Sequence, residues 1–181
     1  MSKPSQVIVL AEDERHQRLV RQYLYQLGRS RHDIRFEPLP NGRGCGEQWV
    51  RERYPKAVVS YRGRSARAET ALIVAIDADT GDVGQRLRQL QKALDQAGIA
   101  TRDEAEAIVH LIPKRTVETW VLCLSGRQVD ENTDYSREAG IDELIKPAAI
   151  TFFSWSRPNA TPPALCVPSL LAAIPEVRRL E

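Results

Sequence analysis

Acidic residues that follow apolar segments are the part of this chain whose residue types and spacing suggest chemistry. In LIVAIDADTGD, the apolar run 72–76 ends in Asp77, Asp79 and Asp82. Side chains alternate along an extended chain, so Asp77 and Asp79 are expected to point the same way. Two adjacent carboxylates repel each other, and their hard oxygens suit a divalent cation such as Mg²⁺ or Mn²⁺. The sequence therefore predicts half of a metal site here.

A second acidic group follows the first apolar segment of the chain. Residues 6–11, QVIVLA, predict a buried strand, and Glu12, Asp13 and Glu14 come directly after it. In a parallel α/β sheet the ligand site lies beyond the carboxyl ends of the strands. Glu12 and Asp77 are far apart in sequence, yet both are predicted to reach that edge of the sheet.

Strand and helix patterns alternate along the first two thirds of the chain. Continuous β-branched runs are typical of strands buried on both faces, whereas apolar stripes at spacings of three and four indicate helices. This alternation predicts an α/β fold, with a doubly wound, mostly parallel, Rossmann-like sheet of about four or five strands and helices on both faces. The predicted strands are 6–11, 33–39, 72–76 and 107–112, and the predicted helices are 15–27, 47–54, 83–97, 115–125 and 169–180.

Other segments carry weaker signals. Pro55 is expected to end the second helix or to restart it. The arginine-rich stretch 61–69 is predicted to be a surface loop, and residues 143–153 are ambiguous between helix and strand. Four prolines in 154–168 predict an extended segment that wraps over the domain.

Length and composition exclude several classes of protein. The 181 residues suffice for one domain, with a core expected at 1–127 and a C-terminal extension at 128–181. No apolar run approaches the roughly 20 residues of a membrane span, and the N-terminus lacks a signal-peptide pattern, so a cytoplasmic protein is expected. Cys45, Cys123 and Cys166 match no zinc spacing and no disulfide framework.

Basic residues are unevenly distributed and are mostly arginine. Residues 1–70 carry 14 Lys and Arg against 8 Asp and Glu, whereas residues 71–181 carry 12 against 16. Arginine accounts for 21 of the 26 basic residues, and its planar fork matches phosphate better than lysine does. This bias predicts a basic face beside an acidic site, with biased genomic composition as the plain alternative. The candidate phosphate-binding residues are Arg62, Arg64, Arg67, Lys114 and Arg115.

The two acidic groups together resemble the Toprim domain of topoisomerases, primases and small nucleases. The residues that carry the resemblance are Glu12 in LAEDE and Asp77 and Asp79 in IDADTGD, with Asp13 standing where the family usually has glycine. The resemblance implies that these three residues bind Mg²⁺ and act in catalysis. The segment IPKRTVETW is similar to a stretch of small stand-alone Toprim-like proteins, which implies that Glu118 is a further metal ligand.

The resemblance also implies an activity, a substrate and a partner. Metal-dependent hydrolysis of phosphodiester bonds in DNA or RNA is the expected reaction, because no tyrosine stands out as a topoisomerase nucleophile. The resemblance extends to small stand-alone proteins of this kind, including the overcoming-lysogenization-type nucleases. It implies that this protein is a component of phage defence that acts beside an ATPase.

A response-regulator receiver domain is the first alternative. The segment VIVLAEDERHQRLVRQYLYQLG resembles the opening of a receiver, with Glu12 and Asp13 as its acidic pair. In that interpretation Asp77 accepts a phosphoryl group and Lys146 is the lysine of the site. The spacing from Glu12 to Asp77 is longer than that family uses, and the Asp-x-Asp pair has no role in it.

A catalytically silent binding module is the second alternative, because a fold never guarantees an activity. The loop 41–46, NGRGCG, matches neither the P-loop nor the dinucleotide fingerprint. Acidic residues at strand ends are also good turn formers in their own right. Among the histidines, His16 is a candidate helper beside the acidic pair, and His110, inside an apolar strand, is predicted to be a core residue.

Overall fold

The computed structural model describes residues 6–40 and 46–181, which form an α/β fold around an all-parallel sheet. Within these residues the sheet has four strands in the order β2-β1-β3-β4. The predicted fold class, a doubly wound parallel sheet, is confirmed. The strands are β1 (Gln6–Ala11), β2 (Ile34–Phe36), β3 (Thr70–Ala75) and β4 (Ile108–Leu111), and the helices are α1 (Glu14–Gln26), α2 (Gly46–Ser65), α3 (Val83–Gln96), α4 (Val117–Leu124), α5 (Ile141–Trp155) and α6 (Pro168–Val177), with short 3₁₀ turns at Arg31–Asp33 and Arg178–Leu180.

Alternation along the strands divides the core into two layers. In β1, Val7 and Val9 face the layer of α1, α4, α5 and α6, whereas Ile8 and Leu10 face the layer of α2 and α3. The parallel register pairs Val9 with Ile73 of β3, so equivalent side chains of neighbouring strands share a face. Both faces are covered, which explains why the strands are apolar at nearly every position.

The C-terminal third supplies much of the first layer. Helix α5 packs along α1, where the rings of Tyr23 and Phe152 lie 4.9 Å apart. The Tyr23 hydroxyl and Ser156 Oγ are 2.9 Å apart, so the polar end of this buried ring has a partner. Residues 128–181 therefore contribute helices to the main core. The segment predicted to be extended, 154–168, begins inside α5, continues as turns and irregular backbone, and ends at the first residue of α6.

Helix α2 corrects two predictions. It continues through Pro55 to Ser65, so Pro55 neither ends nor restarts it, and the first half of the predicted loop 61–69 is helical. Val50, Tyr54, Val58 and Tyr61 are buried against the sheet. This stripe at spacings of four and three offsets the backbone hydrogen bond that proline cannot donate.

Smaller differences concern element boundaries. The second strand covers only Ile34–Phe36 of the predicted 33–39, and the ambiguous segment 143–153 belongs to α5. Residues 41–45 of the predicted glycine-rich loop lie outside the described residues. No helix in the described part of the chain combines the length and apolarity needed to cross a membrane.

Candidate metal centre

The two acidic groups meet at the carboxyl edge of the sheet. Strands β1 and β3 are neighbours in register, and the amide of Glu12 donates to the carbonyl of Ala75. The carboxylate of Glu12 in turn accepts the backbone N–H of Asp77 at 2.9 Å. Ligand atoms of Glu12, His16 and Asp77 all lie within 4.8 Å of one another. Adjacent parallel strands thus bring together residues that are 65 positions apart.

His16 lies between two carboxylates and is almost fully buried, with 2% of its surface exposed. Its Nδ1 is 2.9 Å from Asp13 Oδ1, and its Nε2 is 3.0 Å from Asp77 Oδ1. Ionised carboxylates only accept hydrogen bonds, so an imidazolium that donates from both nitrogens satisfies this arrangement. His16 is therefore better placed to orient Asp77 than to bind a cation itself.

Protonation in this cluster is set by burial and charge together. Burial raises the pKa of Asp77 to about 7, although the charge and hydrogen bond of His16 act in the opposite direction. Burial alone would lower the pKa of His16, but the charges of Asp77 and Asp13 outweigh it and raise that pKa well above its ordinary value. The His16–Asp77 pair consequently holds a proton at neutral pH.

Asp13 has a structural role that the sequence did not reveal. It is the N-cap of α1, and its side chain accepts the backbone N–H of His16 at 2.9 Å. Burial opposes its ionisation, but the charge and hydrogen bonds of His16 outweigh burial and lower the pKa of Asp13. One carboxylate thus fixes both the start of the helix and the orientation of the His16 ring.

Asp79 lies at the mouth of the site. Its backbone has a φ of +56°, a left-handed conformation that aspartate tolerates better than most residues. This turn leaves the Asp79 side chain 52% exposed, 3.3 Å from the guanidinium of Arg86. Asp79 is outside the compact group of Glu12, His16 and Asp77, but its charge still raises the pKa of Glu12.

A cavity of about 450 Å³ opens in front of Glu12. Five of its lining residues are acidic, and none of those in the described part of the chain is basic. Such a concentration of carboxylates attracts cations and repels unaccompanied phosphate. The cavity is lined by Glu12, Asp13, Glu14, Leu39, Pro40, Gly46, Glu47 and Asp79.

Arg86 holds the loop that carries Asp77 and Asp79. It is 4% exposed, its Nε donates to the carbonyl of Asp77 at 2.8 Å, and its other nitrogens contact Glu47, Asp79 and Gln89. Arg86 was not among the residues predicted from the sequence. The available signal was its position four residues before Leu90, on the buried stripe of α3.

Gly46 allows α2 to begin against the site. A Cβ at this position would lie 2.7 Å from both Cγ and the carbonyl oxygen of Glu12. Only glycine permits this approach without displacing Glu12. The close contact directs the start of α2, whose amide groups carry partial positive charge, toward the acidic cavity.

The donor set fits a hard divalent cation. Burial is the main cause that raises the pKa of the Glu12 carboxyl, and the charges of Asp79 and Asp13 act in the same direction. Only one oxygen of Glu12 and one of Asp77 have partners among the described residues, so each keeps an oxygen for a ligand. A divalent cation held by Glu12, Asp77 and Asp79 would relieve the repulsion between these carboxylates.

Glu118 is not part of the acidic group. It is buried at the start of α4, and its Oε1 accepts from Arg15 at 2.6 Å. This ion pair already neutralises the carboxylate, and Arg15 also donates to the carbonyl of Ser136 and to Asp142. The structure therefore places the predicted further ligand in a contact between α1 and α4 rather than in the group around Glu12.

Three predicted phosphate-binding arginines lie at the opposite edge of the sheet. Arg62 pairs with Glu106 at 2.6 Å, and Arg64 donates to Gln6, the first residue of β1. Arg67 follows them in the turn after α2. Because α2 runs antiparallel to the strands, its last turn lies about 20 Å from the residues that follow β1. These arginines cannot share a site with Glu12.

Lys114 and Arg115 do follow β4 at the carboxyl edge, as predicted. Lys114 donates to the side chain of Asn132 at 2.9 Å, and Arg115 lies 4.0 Å from Asp134. Neither lines the acidic cavity. They lie beside the segment between α4 and α5, which contacts both side chains.

The position of Lys146 does not support the receiver interpretation. Lys146 is an exposed residue in the middle of α5, not at the end of a strand. Asp77, the predicted phosphoryl acceptor, is 7% exposed and bonded to His16. Both placements differ from a site in which an accessible aspartate faces a lysine across the carboxyl edge.

Comparisons of the chain with protein-family models, with curated proteins and with solved structures found no match. Function must therefore follow from the geometry and chemistry of the site.

Proposed function

We propose that this protein is a Mg²⁺-dependent, Toprim-like nuclease that hydrolyses phosphodiester bonds in nucleic acid. The observation that carries the proposal is the convergence of Glu12 and Asp77, from neighbouring strands, on an acidic cavity with no basic residue among its described lining residues. Carboxylates are the usual ligands of Mg²⁺ in phosphoryl-transfer sites. Glu12 forms no ion pair with arginine or lysine among the described residues, whereas Asp79 and Glu47 both pair with Arg86.

Each residue has a distinct task in this proposal. Glu12, Asp77 and Asp79 would hold the cation, and a divalent cation there would supply polarisation of the phosphoryl oxygen and a lower pKa for a bound water. A bound cation would favour the ionised form of Glu12 and so oppose the burial that raises its pKa. Arg86 keeps the loop of Asp77 and Asp79 in place.

His16 acts through Asp77 and not on the substrate. Its Nε2 lies 3.0 Å from Asp77 Oδ1, and its ring is held from the other side by Asp13. Such outer contacts fix the orientation of a ligand and are worth roughly 10- to 100-fold in metal affinity or activity. His16 is thus a positioning residue for the proposed ligand Asp77.

A cellular role completes the proposal. The Toprim-like arrangement of Glu12, Asp77 and Asp79 is compatible with a cytoplasmic nuclease of phage defence that works beside an ATPase. Co-purification with a nucleotide-hydrolysing protein from the same operon would support this context, and the nuclease activity of the isolated chain does not depend on it.

The decisive experiment compares two charge-removing substitutions in one loop. Asp79→Asn removes a proposed ligand while keeping a side chain that tolerates positive φ. Asp82→Asn removes the same charge but keeps the N-cap of α3, since asparagine caps as well as aspartate. With labelled DNA and RNA in Mg²⁺ or Mn²⁺, Asp79→Asn is expected to reduce the cleavage rate by at least about 100-fold, whereas Asp82→Asn retains cleavage.

Metal binding gives an independent readout. Mn²⁺ is expected to raise the melting temperature of the wild type and of Asp82→Asn, but much less that of Asp79→Asn, because a ligand stabilises the state that binds it. Equal cleavage by both variants would refute the proposed site. Metal binding without cleavage of any nucleic acid would leave a silent binding module as the function.

A further inference from the structure

A groove between α1 and β2 combines basic and aromatic side chains outside the acidic site. Its volume is about 370 Å³, within the size range of pockets that hold small ligands, roughly 300–1,000 Å³. We call it the α1–β2 groove. It is lined by Arg21, Tyr25, Arg31, Ile34 and Phe36.

The two arginines of the groove are available for an anion. Neither Arg21 nor Arg31 forms an ion pair or a side-chain hydrogen bond within residues 6–40 and 46–181. The nearest carboxylate in the turn, Asp33, accepts the backbone N–H and hydroxyl of Ser30 instead. By contrast Arg18, on the same helix, is paired with Asp142. Unpaired arginine forks are well suited to phosphate.

The aromatic residues give the groove a stacking surface. The guanidinium of Arg21 lies 4.6 Å from the ring centre of Phe36, which fixes this arginine at the edge of the sheet. Tyr25 follows Arg21 by one helical turn and is 36% exposed. Aromatic faces next to arginine are the combination with which proteins bind single-stranded nucleic acid, because every base can stack.

The position of the groove relates it to the acidic cavity. Phe36, the lining residue nearest to the acidic site, pairs in register with Val9 and lies about 11 Å from the residue that follows β1. Tyr25 is in the last turn of α1, about 16 Å along the helix from its start beside the acidic cavity. The segment after β2 leads from one to the other, since Leu39 and Pro40 line the acidic cavity. A single strand lying in the groove could therefore extend to Glu12.

We infer that the α1–β2 groove binds single-stranded nucleic acid, with phosphates on Arg21 and Arg31 and a base stacked on Tyr25. This inference rests on the proposed function for its substrate class and deepens it. It assigns the phosphate contacts to the edge of β2 rather than to Arg62, Arg64 and Arg67.

The test measures binding apart from cleavage. Fluorescence anisotropy of a labelled single-stranded oligonucleotide, recorded in EDTA over a series of salt concentrations, reports the affinity and its salt slope. Arg21→Gln combined with Arg31→Gln is expected to weaken binding and to reduce the slope of log K against log salt by about 1.4, since each phosphate contact to a single strand contributes about 0.7. Tyr25→Leu is expected to weaken binding about tenfold.

A matched control removes two charges elsewhere. Arg88→Gln combined with Lys92→Gln alters two exposed residues of α3, on the other face of the sheet, which form no ion pair among the described residues. Binding by this control is expected to stay close to wild type. Equal losses of affinity in both double variants would show that only net charge matters and would overturn the inference. Arg31→Gln alone, in an exposed turn, covers the case in which the double variant does not fold.

Other outcomes separate this inference from the proposed function. Asp79→Asn is expected to bind the oligonucleotide in EDTA at least as tightly as the wild type does, because it removes one of the carboxylates that repel phosphate. Binding lost with the groove variants in a protein that never cleaves would retain the groove and reject the nuclease. If the groove variants change neither cleavage nor binding, the groove is rejected and the nuclease is retained. A polyglutamate peptide that competes equally well, with Tyr25→Leu without effect, would identify a general anion site and overturn the inference.

Discussion

His16 and His110 are both buried, but their surroundings give them opposite charges. His16, at the carboxyl edge of the sheet, lies between Asp13 and Asp77, which raise its pKa. His110, within β4, accepts or donates a hydrogen bond with the Tyr54 hydroxyl at 2.9 Å. Burial, supported by the charge of Arg102, lowers the pKa of His110 to about 3. One ring is thus cationic at neutral pH and the other is neutral.

The contrast shows that burial alone does not decide the charge of a histidine. Burial disfavours the charged form of both rings, and two carboxylates within hydrogen-bonding distance overcome this cost at His16. His110 has only a hydroxyl on one side, and its Nδ1 has no partner among the described residues. A buried charge between carboxylates is typical of a functional centre, whereas a neutral buried histidine is typical of a core.

The largest expected effect comes from removing the positively charged ring of His16. His16→Leu leaves Asp77 buried without a partner and is expected to lower the free energy of unfolding by about 3–5 kcal/mol at pH 7. The loss of the His16 charge and hydrogen bond also raises the pKa of Asp77 further, because both oppose the effect of burial. Urea unfolding in EDTA at pH 7 measures the loss of stability. His110→Leu is the matched control, and an equal loss in both variants would contradict the contrast.

A pH effect of intermediate size is expected at His110. Its folded pKa of about 3 lies below its ordinary value of 6.5, so the unfolded chain binds the extra proton between these values. This group therefore contributes stability above pH 6.5 that is lost as the pH falls toward 3. At pH 4.5 the wild type should have lost about 2–3 kcal/mol more than His110→Gln, relative to pH 7. Parallel stability curves for the two proteins would show that His110 is not neutral in the fold.

The smallest effect concerns the partner of His110. Tyr54→Phe removes one hydrogen bond from a buried pair and is expected to cost about 1–2 kcal/mol at pH 7. Tyr23→Phe is the control, since it removes a buried hydroxyl bonded to Ser156 and should cost a similar amount. Only Tyr54→Phe is expected to change the loss of stability between pH 7 and pH 4.5. If Tyr23→Phe changes it equally, the effect is general and unrelated to His110.

The acidic residues of the candidate site could be predicted, and His16 could be named as a candidate beside them, but the contacts of His16 and the role of Arg86 could not. Asp77 and Glu12 each end an apolar run, and parallel strands bring such ends together, which sequence patterns reveal. The roles of His16 and Arg86 depend on where α1 and α3 lie across the sheet. A position on a buried stripe, such as that of Arg86, indicates burial but does not identify the residue that the side chain contacts.

In the fold, too, some features follow from local sequence patterns and others depend on packing. The alternation of strands and helices was clear because burial on both faces makes each strand apolar. Strand β2, short and at an edge, was the most overestimated. Helix α2 was underestimated because Pro55 is a local signal for a break. Packing of Val50, Tyr54 and Val58 against the sheet overrides that signal, and packing is not a local property.

The sequence by itself determined the fold class and the edge of the sheet at which acidic residues collect, because periodic burial and strand ends are written in local patterns. Only the tertiary structure decided which carboxylates share a proton with His16, which arginines are paired, and which remain available beside Tyr25 and Phe36. The physical reason is that charge and hydrogen bonding depend on distances of a few ångströms between residues of different elements. Such distances are fixed when helices pack on the sheet.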